Sequence, residues 1–124
     1  MTYKFIFPGD IPSKKNSRIL VCFGRRPVSL PSKNYKEWHK EMEVVALSFE
    51  KPKESINSSV SVEMTIYPRT KRKFDISNKI ESIMDFLVDI GVIEDDNISI
   101  VKSITGHFGG VDVANPRAEV IINL

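Results

Sequence analysis

The chain has 124 residues, of which 41% are apolar and 27% charged, and its formal net charge is +2. These values are typical of an ordinary soluble globular protein, and the length suits a single domain over residues 1–124. No apolar run reaches the roughly 20 residues of a membrane span, and the N-terminus lacks the apolar segment of a signal peptide. The only cysteine, Cys22, excludes an internal disulfide, so we expect a cytoplasmic protein.

The first part of the chain predicts a strand, a polar loop and a small hairpin. Tyr3–Phe7 is a short apolar strand that Pro8-Gly9 ends. The polar loop Pro12–Arg18 follows it. Ile19–Phe23 and Pro27–Leu30 flank a short basic turn, so we expect them to pair as a hairpin.

A long helix is predicted from an N-cap at Ser32 to about Phe49, because apolar residues recur at helical spacing between these limits. Tyr35 and Trp38 belong to this apolar stripe. They could stack on nucleic-acid bases, but we favour packing in the core. His39 lies beside the stripe without a second His or Cys at metal-ligand spacing, so we expect it on the helix surface.

The second half of the chain predicts one more helix and three strands. Val60–Tyr67 alternates apolar and polar residues, as a half-buried strand does. A helix begins near Asp75 and ends at Gly91. Ile98–Phe108 and Ala118–Leu124 are successive strands, which favours a terminal hairpin. The whole predicts an α+β fold, a mixed sheet of four or more strands packed by two main helices.

Charge is distributed unevenly along the chain. Residues 1–73 contain fifteen Lys and Arg against seven Asp and Glu, a net charge of +8. Residues 74–124 contain three Lys and Arg against nine Asp and Glu, a net charge of −6. A basic surface attracts phosphates, and an acidic pocket beside it can hold divalent cations. Two solvated faces of opposite charge would give the same counts, so charge alone decides nothing.

Three aspartates flank the second helix. Asp75 opens it, and Asp95 and Asp96 follow it after a short turn. Helix capping by Asp75 and a solvated turn at the pair are the structural alternatives. The basic run Lys71–Lys73 abuts Asp75, and adjacent carboxylates gain most from a divalent cation. Because such a cation activates water and stabilises developing charge, the pattern predicts a magnesium-dependent nuclease.

The length of the helix sets a condition on this site. The helix spans roughly 25 Å at 1.5 Å per residue. Asp75 and Asp96 can therefore meet only if the following strand carries Asp96 back, or if a neighbouring subunit intervenes. The spacing leaves both routes open.

Several separated motifs occur in a fixed order along the chain. They are Ile11-Pro-Ser-Lys-Lys-Asn16, Lys71-Arg-Lys-Phe-Asp75-Ile-Ser-Asn78, Asp85-Phe-Leu and Gly91-Val-Ile-Glu-Asp95-Asp96. Their order and spacing resemble the RusA family of Holliday-junction resolvases, which are crossover junction endodeoxyribonucleases. The similarity covers most of the chain and implies a RusA-like endonuclease domain.

This resemblance implies a small homodimeric endonuclease, common in prophages, that acts in DNA recombination and repair. Such an enzyme cuts four-way DNA junctions symmetrically with Mg²⁺ or Mn²⁺. Asp75 and Asp96 match the family's first and last essential aspartates. Asp95 and Asn78 match neighbouring motif positions, and Asp85 matches the aspartate inside the helix.

Two positions depart from the family's pattern. Ser77 stands where the family has its second acidic residue, and Glu81 stands where it has a helix lysine. Because these residues share a helix face, we hypothesise that Glu81 replaces the missing carboxylate at the metal. Lys79 or Lys73 would then make the phosphate contact of the lost lysine. A solvated Glu81 is the alternative.

The expected mechanism is hydrolysis by metal-activated water. Asp75 and Asp96 hold the metal, with Asp95 as a ligand directly or through water. The alternatives are a nuclease for flaps or forks, a junction-binding protein weakened at Ser77, and a basic nucleic-acid-binding module with structural acids. The residues expected to bind DNA phosphates are Lys14, Lys15, Arg18, Lys71, Arg72, Lys73 and Lys79.

Overall fold

The computed structural model describes residues 1–13, 18–23, 26–31 and 33–124, the second and third of these ranges as backbone alone. The predicted α+β fold is confirmed: a mixed four-stranded sheet is packed by two helices. The elements are β1 (Thr2–Pro8), β2 (Arg18–Phe23), β3 (Arg26–Pro31), α1 (Lys33–Ala46), β4 (Val60–Tyr67), α2 (Ile76–Asp89), β5 (Val101–Phe108) and β6 (Arg117–Asn123).

The main sheet has the strand order β1-β6-β4-β5, and β2 and β3 pair separately as the predicted antiparallel hairpin. β6 is antiparallel to both of its neighbours, β1 and β4. β4 and β5 are parallel and are joined through α2. Parallel neighbours need a crossover connection of this kind, which places β5 on the outer side of β4.

The predicted terminal hairpin of the last two strands is wrong, because β4 lies between β5 and β6. Burial explains the order. Ala118, Val120 and Ile122 of β6 are fully buried, so this strand belongs in the interior of the sheet. Most residues of β5 are exposed, as an edge strand allows.

One face of the sheet carries the core and both helices. β4 alternates as predicted, with Val60, Val62, Met64 and Ile66 buried. Tyr35 and Trp38 of α1 are 4% and 6% exposed, which confirms that they pack in the core. The core aromatics meet around Phe86 of α2, whose ring makes edge contacts with Phe7 at 5.7 Å and with Trp38 at 5.6 Å.

Both helices end close to the predicted residues. α1 stops at Ala46 rather than near Phe49, and three successive i to i+3 hydrogen bonds over residues 44–49 form a tighter final turn. α2 begins after an extended N-cap at Asp75 and ends at Asp89. Gly91 follows at φ +78°, a left-handed conformation that glycine adopts without strain.

Candidate functional site

The N-terminal end of α2 carries the first predicted site residue, Asp75. This residue is exposed and is the N-cap, but its side chain makes no capping hydrogen bond. The Asn78 amide donates to the Asp75 carboxylate at 3.5 Å, a long contact. The exposed run Lys71, Arg72 and Lys73 precedes Asp75, with Phe74 alone between them. The carboxylate is therefore not committed to capping, and it lies beside three cations.

A cavity of about 610 Å³ opens beside this end of the helix. Its wall combines the start of α2 with the chain just after β1 and the end of β4. A cavity of this size, lined by both acidic and basic side chains, can admit a phosphate and a hydrated cation. Its charged and amide-bearing lining residues are Asp10, Asn34, Arg72, Lys73, Asp75, Asn78, Lys79 and Arg117.

Two residues of α2 anchor the chain that leads into the polar loop. The Lys79 ammonium donates to the Ile11 carbonyl, and the Ser82 hydroxyl donates to the Pro12 carbonyl at 2.6 Å. Burial lowers the pKa of Lys79, with smaller effects from Asp10 and Arg72 of opposite sign. Lys79, predicted as a DNA contact, thus lies half-buried with its amino group bonded to the backbone.

Three of the predicted DNA contacts lie in or next to the early polar loop. Lys14 and Lys15 lie outside the described residues. Arg18 begins β2, and only its backbone is described. These three contacts stay predictions from sequence.

The sequence did not predict two residues that line the cavity at the N-terminal end of α2, Asp10 and Arg117. Asp10 accepts a hydrogen bond from the Arg69 amide at 3.0 Å, which ties the start of the basic loop to the chain after β1. Arg117 lies over the Tyr67 ring at 4.0 Å and pairs with Asp112 at 2.9 Å. The contacts of Asp10 with Arg69 and of Arg117 with Tyr67 join residues far apart in the sequence, so a local motif could not predict them.

The other end of α2 is acidic. The Asp95 carboxylate accepts hydrogen bonds from the Asp96 amide at 2.7 Å and from the Asn97 side chain at 3.1 Å. These bonds hold the turn in one shape. Partial desolvation, a hydrogen bond with Asp95 and the negative charges of Asp95 and Asp85 raise the pKa of Asp96. Asp85, predicted as a supporting residue, is therefore part of this acidic end.

The acidic end extends to the interface between α1 and α2. Burial, followed by the charges of Asp85 and Asp89, raises the pKa of Tyr35 to about 12. His39 bridges the helices, with its ring nitrogens 2.8 Å from Glu43 and 3.0 Å from Asp89. His39 is thus a partly buried bridge between two carboxylates, where a free surface position was expected.

The two ends of α2 do not meet within one protomer. The helix has 14 residues, which corresponds to roughly 21 Å. β5 runs away from the acidic end, and Phe108 at its last position lines a cavity with Asp75. Asp96 precedes this strand and therefore stays at the far end. No group of three or more His, Cys, Asp or Glu among the described residues is placed to hold a metal ion.

The two positions that depart from the family pattern lie on the exposed face of α2. Ser77 and Glu81 are both exposed, and Asp85, half-buried, follows Glu81 by four residues. These three side chains form a line from the basic end towards the acidic end. The replacement of a metal-ligating carboxylate by Glu81 stays a prediction.

Comparison of this sequence with protein families identifies the family to which it is similar. The family model described as endodeoxyribonuclease RusA matches residues 8–123, nearly the whole chain. This chain belongs to the RusA family. Members are nucleases that act on branched DNA. A search of curated proteins gave no match. Within the described part of this RusA-family chain, no helix is long and apolar enough to cross a membrane.

The first prediction concerns the anchor of the polar loop in this RusA-family protein. Ser82 is fully buried, so Ser82→Ala leaves the Pro12 carbonyl without its donor. We expect the free energy of unfolding to fall by about 1–3 kcal/mol in urea titrations. Ser77→Ala, an exposed change on the same helix, is the matched control and should stay within about 0.5 kcal/mol. Equal losses in the two variants would contradict the anchoring role.

The second prediction concerns the acidic turn. Because the folded-state pKa of Asp96 is raised, its ionised form opposes folding above the unfolded pKa of roughly 3.9. Asp96→Asn should therefore raise the thermal midpoint at pH 7 in EDTA, and the gain should shrink as the pH falls towards 4.

Asp112→Asn is the control of opposite sign, because it removes the ion pair with Arg117 and should lower the midpoint. A lower midpoint for Asp96→Asn at pH 7 would contradict the prediction that the ionised Asp96 carboxylate opposes folding. Differential scanning calorimetry of metal-free protein gives both values.

Proposed function

We propose that this RusA-family chain is a Mg²⁺- or Mn²⁺-dependent endonuclease that resolves four-way DNA junctions, with each active site shared between two protomers. The observation that carries the proposal is the separation of Asp75 from Asp95 and Asp96 at opposite ends of α2. A complete set of carboxylates then needs Asp75 from one protomer and the Asp95-Asp96 turn from a second copy.

The donor atoms suit a hard divalent cation. Asp75, Asp95 and Asp96 offer carboxylate oxygens, the ligands that Mg²⁺ prefers. The raised pKa of Asp96, caused first by partial burial and then by its hydrogen bond with Asp95 and the charges of Asp95 and Asp85, is consistent with this assignment, because a bound cation would offset these effects. When bound, the cation would activate water and neutralise charge on the scissile phosphate.

The basic residues beside Asp75 would hold the DNA backbone. Lys71, Arg72 and Lys73 are exposed at the mouth of the cavity that Asp75 lines. Contacts of this kind bind phosphates largely independently of base sequence. Lys14, Lys15 and Arg18 join them as proposed contacts on sequence grounds. The structure of the branch, rather than a base sequence, would then select the substrate.

A two-fold dimer suits the substrate. A four-way junction presents two equivalent strands for cleavage, and an isologous dimer presents two equivalent active sites. Each cut needs one Asp75 and one acidic turn, so two copies give two complete sites. The same surface would also suit a nuclease that cuts flaps or forks. Assays with four-way junction, flap and fork substrates distinguish these two activities.

A second candidate function rests on Ser77. A hydroxyl is a weaker metal ligand than the carboxylate it replaces, which favours a junction-binding protein with slow cleavage. Glu81 would reverse this effect if it completed the ligand set. Binding to a four-way junction without cutting in Mg²⁺ or Mn²⁺ would decide for this second candidate.

The third prediction tests the shared site by complementation on a supercoiled plasmid that extrudes a cruciform. Asp75→Asn and Asp96→Asn should each abolish cutting while junction binding is retained. A mixed dimer of the two variants combines an intact Asp75 with an intact Asp96 at one of its two sites. We expect recovery of about a quarter of the wild-type sites, producing nicked circles where wild type produces linear plasmid.

If both aspartates acted within one protomer, every site in the mixture would carry a substitution and no nicking would return. Linear duplex, flap and four-way junction substrates with the same ends serve as the specificity controls. Equal cutting of all three would remove the junction from the proposal. Full activity of Asp96→Asn alone would remove Asp96 from the site.

The fourth prediction concerns Glu81 as the replacement ligand. Glu81→Gln keeps the shape of the side chain and removes its charge, so we expect Mn²⁺ affinity to fall at least about 10-fold. Calorimetric titration with Mn²⁺ measures this without relying on activity. Glu41→Gln, an exposed change on α1, is the matched control. Unchanged affinity in both variants would make Glu81 a solvated residue.

A further inference from the structure

Phe108 is an exposed aromatic side chain at the basic end of α2. It stands at the last position of β5 and is 61% exposed. The other phenylalanines whose side chains the structure describes are buried or half-buried. A single exposed apolar residue is common on protein surfaces, so its surroundings decide whether it has a role.

The surroundings of Phe108 are cationic. Its side chain lines an open cavity of about 690 Å³ together with the basic run Lys71–Lys73. The remaining lining residues are Phe74, Asp75 and Ile76. One exposed aromatic ring and three cations thus border a space within the range of roughly 300–1,000 Å³ that small-ligand sites occupy.

The backbone that carries Phe108 is fixed by β4. Phe108 pairs with Ile66, and the Gly109 amide donates to the Ile66 carbonyl at 2.9 Å. A Cβ on Gly109 would lie 2.4 Å from the Tyr67 ring, so the chain after Phe108 runs directly against that ring. The Phe108 side chain therefore extends from a rigid strand end. A ring on a rigid support loses little conformational freedom when a ligand stacks on it.

A second aromatic ring, Phe74, belongs to the wall of both cavities beside Asp75. Phe74 is half-buried and packs against the core. The Lys79 ammonium lies 5.4 Å from the centre of the Phe74 ring, a cation–π contact. Because Phe74 is already covered by the core and by Lys79, Phe108 provides the aromatic surface that a ligand in the larger cavity can reach.

We propose that Phe108 stacks on an unstacked nucleobase of branched DNA, while Lys71–Lys73 hold phosphates of the same strand. The inference rests on the proposed function, because it takes branched DNA as the ligand. A nucleotide combines an aromatic base with an anionic phosphate, and this cavity places an aromatic ring beside three cations. Stacking accepts every base, since each base has an aromatic face.

Stacking on Phe108 would distinguish branched DNA from linear duplex. In a continuous duplex, neighbouring bases cover both faces of each base. At a branch point the stack is interrupted, so a base there can present a free face at lower cost. The basic run binds the phosphates of either form. Phe108 would therefore supply a preference for DNA structure that the cations alone do not provide.

A protein partner fits this cavity less well than a nucleotide. The buried centres of protein–protein interfaces are depleted in charged residues, and lysine is among the depleted types. Phe108 instead adjoins three exposed cations. Charge complementarity thus favours a polyanion that also carries aromatic groups.

The fifth prediction tests stacking through DNA affinity in EDTA, so that the result does not depend on cleavage. Fluorescence anisotropy measures binding to a single strand, a four-way junction and a linear duplex. Phe108→Leu keeps an apolar side chain but removes the aromatic face, so we expect affinity for the single strand and the junction to fall at least about 5-fold. Affinity for the duplex should change less than about 2-fold, because phosphate contacts dominate there. Phe108→Trp should restore both losses.

Two further variants separate stacking from charge and from general surface effects. Arg72→Ala removes a phosphate contact, so it should weaken binding to all three substrates and reduce the salt dependence. Leu47→Ala is the matched apolar control, because Leu47 is 79% exposed and lines neither cavity. It should bind all three substrates as the wild type does.

Circular dichroism and sedimentation check the fold and the oligomeric state of each variant. Unchanged affinity of Phe108→Leu, an equal loss on the duplex, or a Phe108→Trp variant as weak as Phe108→Leu would each overturn the stacking site. A changed oligomeric state of Phe108→Leu would place Phe108 in a protein interface and would also overturn it.

Cleavage assays in Mg²⁺ on the same samples separate the two proposals. A protein whose single-strand affinity depends on Phe108 but that never cuts junctions would keep the stacking site and refute the nuclease. A junction-cutting protein whose DNA affinities are unchanged by Phe108→Leu would keep the nuclease and refute the stacking site.

Discussion

The crossover from β4 through α2 to β5 is the constraint on which the rest of the molecule depends. Two parallel neighbouring strands start at the same end, so the connecting helix must return the chain along their full length. The helix therefore begins where β4 ends and finishes where β5 starts. Residues that flank the helix in sequence, Asp75 before it and Asp96 after it, are held apart by this topology.

Packing makes that separation rigid. Ile80 of α2 lies so close to Gly106 of β5 that a Cβ there would be 2.5 Å from the Ile80 methyl group. Phe86 on the same helix is fully buried among the rings of Phe7 and Trp38. Bending α2 to join its ends would open these contacts, and losing a buried aromatic costs about 3–5 kcal/mol. A second protomer can bring the two ends together without disturbing this core.

The sequence predicted the local features well and the long-range pairing poorly. Period-two alternation located β4, and helical spacing with Gly91 located α2, because both signals lie within a few residues. The terminal hairpin was wrong because strand pairing depends on which strand is most buried in the whole sheet, as β6 shows. The bonds from Lys79 and Ser82 to residues 11–12 join positions about 70 apart, which no motif encodes.

A site divided between protomers couples assembly to chemistry. In the proposed dimer, Asp75 of one chain and Asp95 and Asp96 of the other would hold each cation, so metal binding would stabilise the dimer and dimerisation would raise metal affinity by the same factor. The basic run beside Asp75 would face the partner's acidic turn and the DNA backbone at once. The positive charge of this run would then pair with the partner's acidic turn in the free dimer and with DNA phosphates in the complex. Partial burial and the neighbouring charges of Asp95 and Asp85 raise the pKa of Asp96 in the isolated protomer, and a cation held in such an assembly would offset both effects.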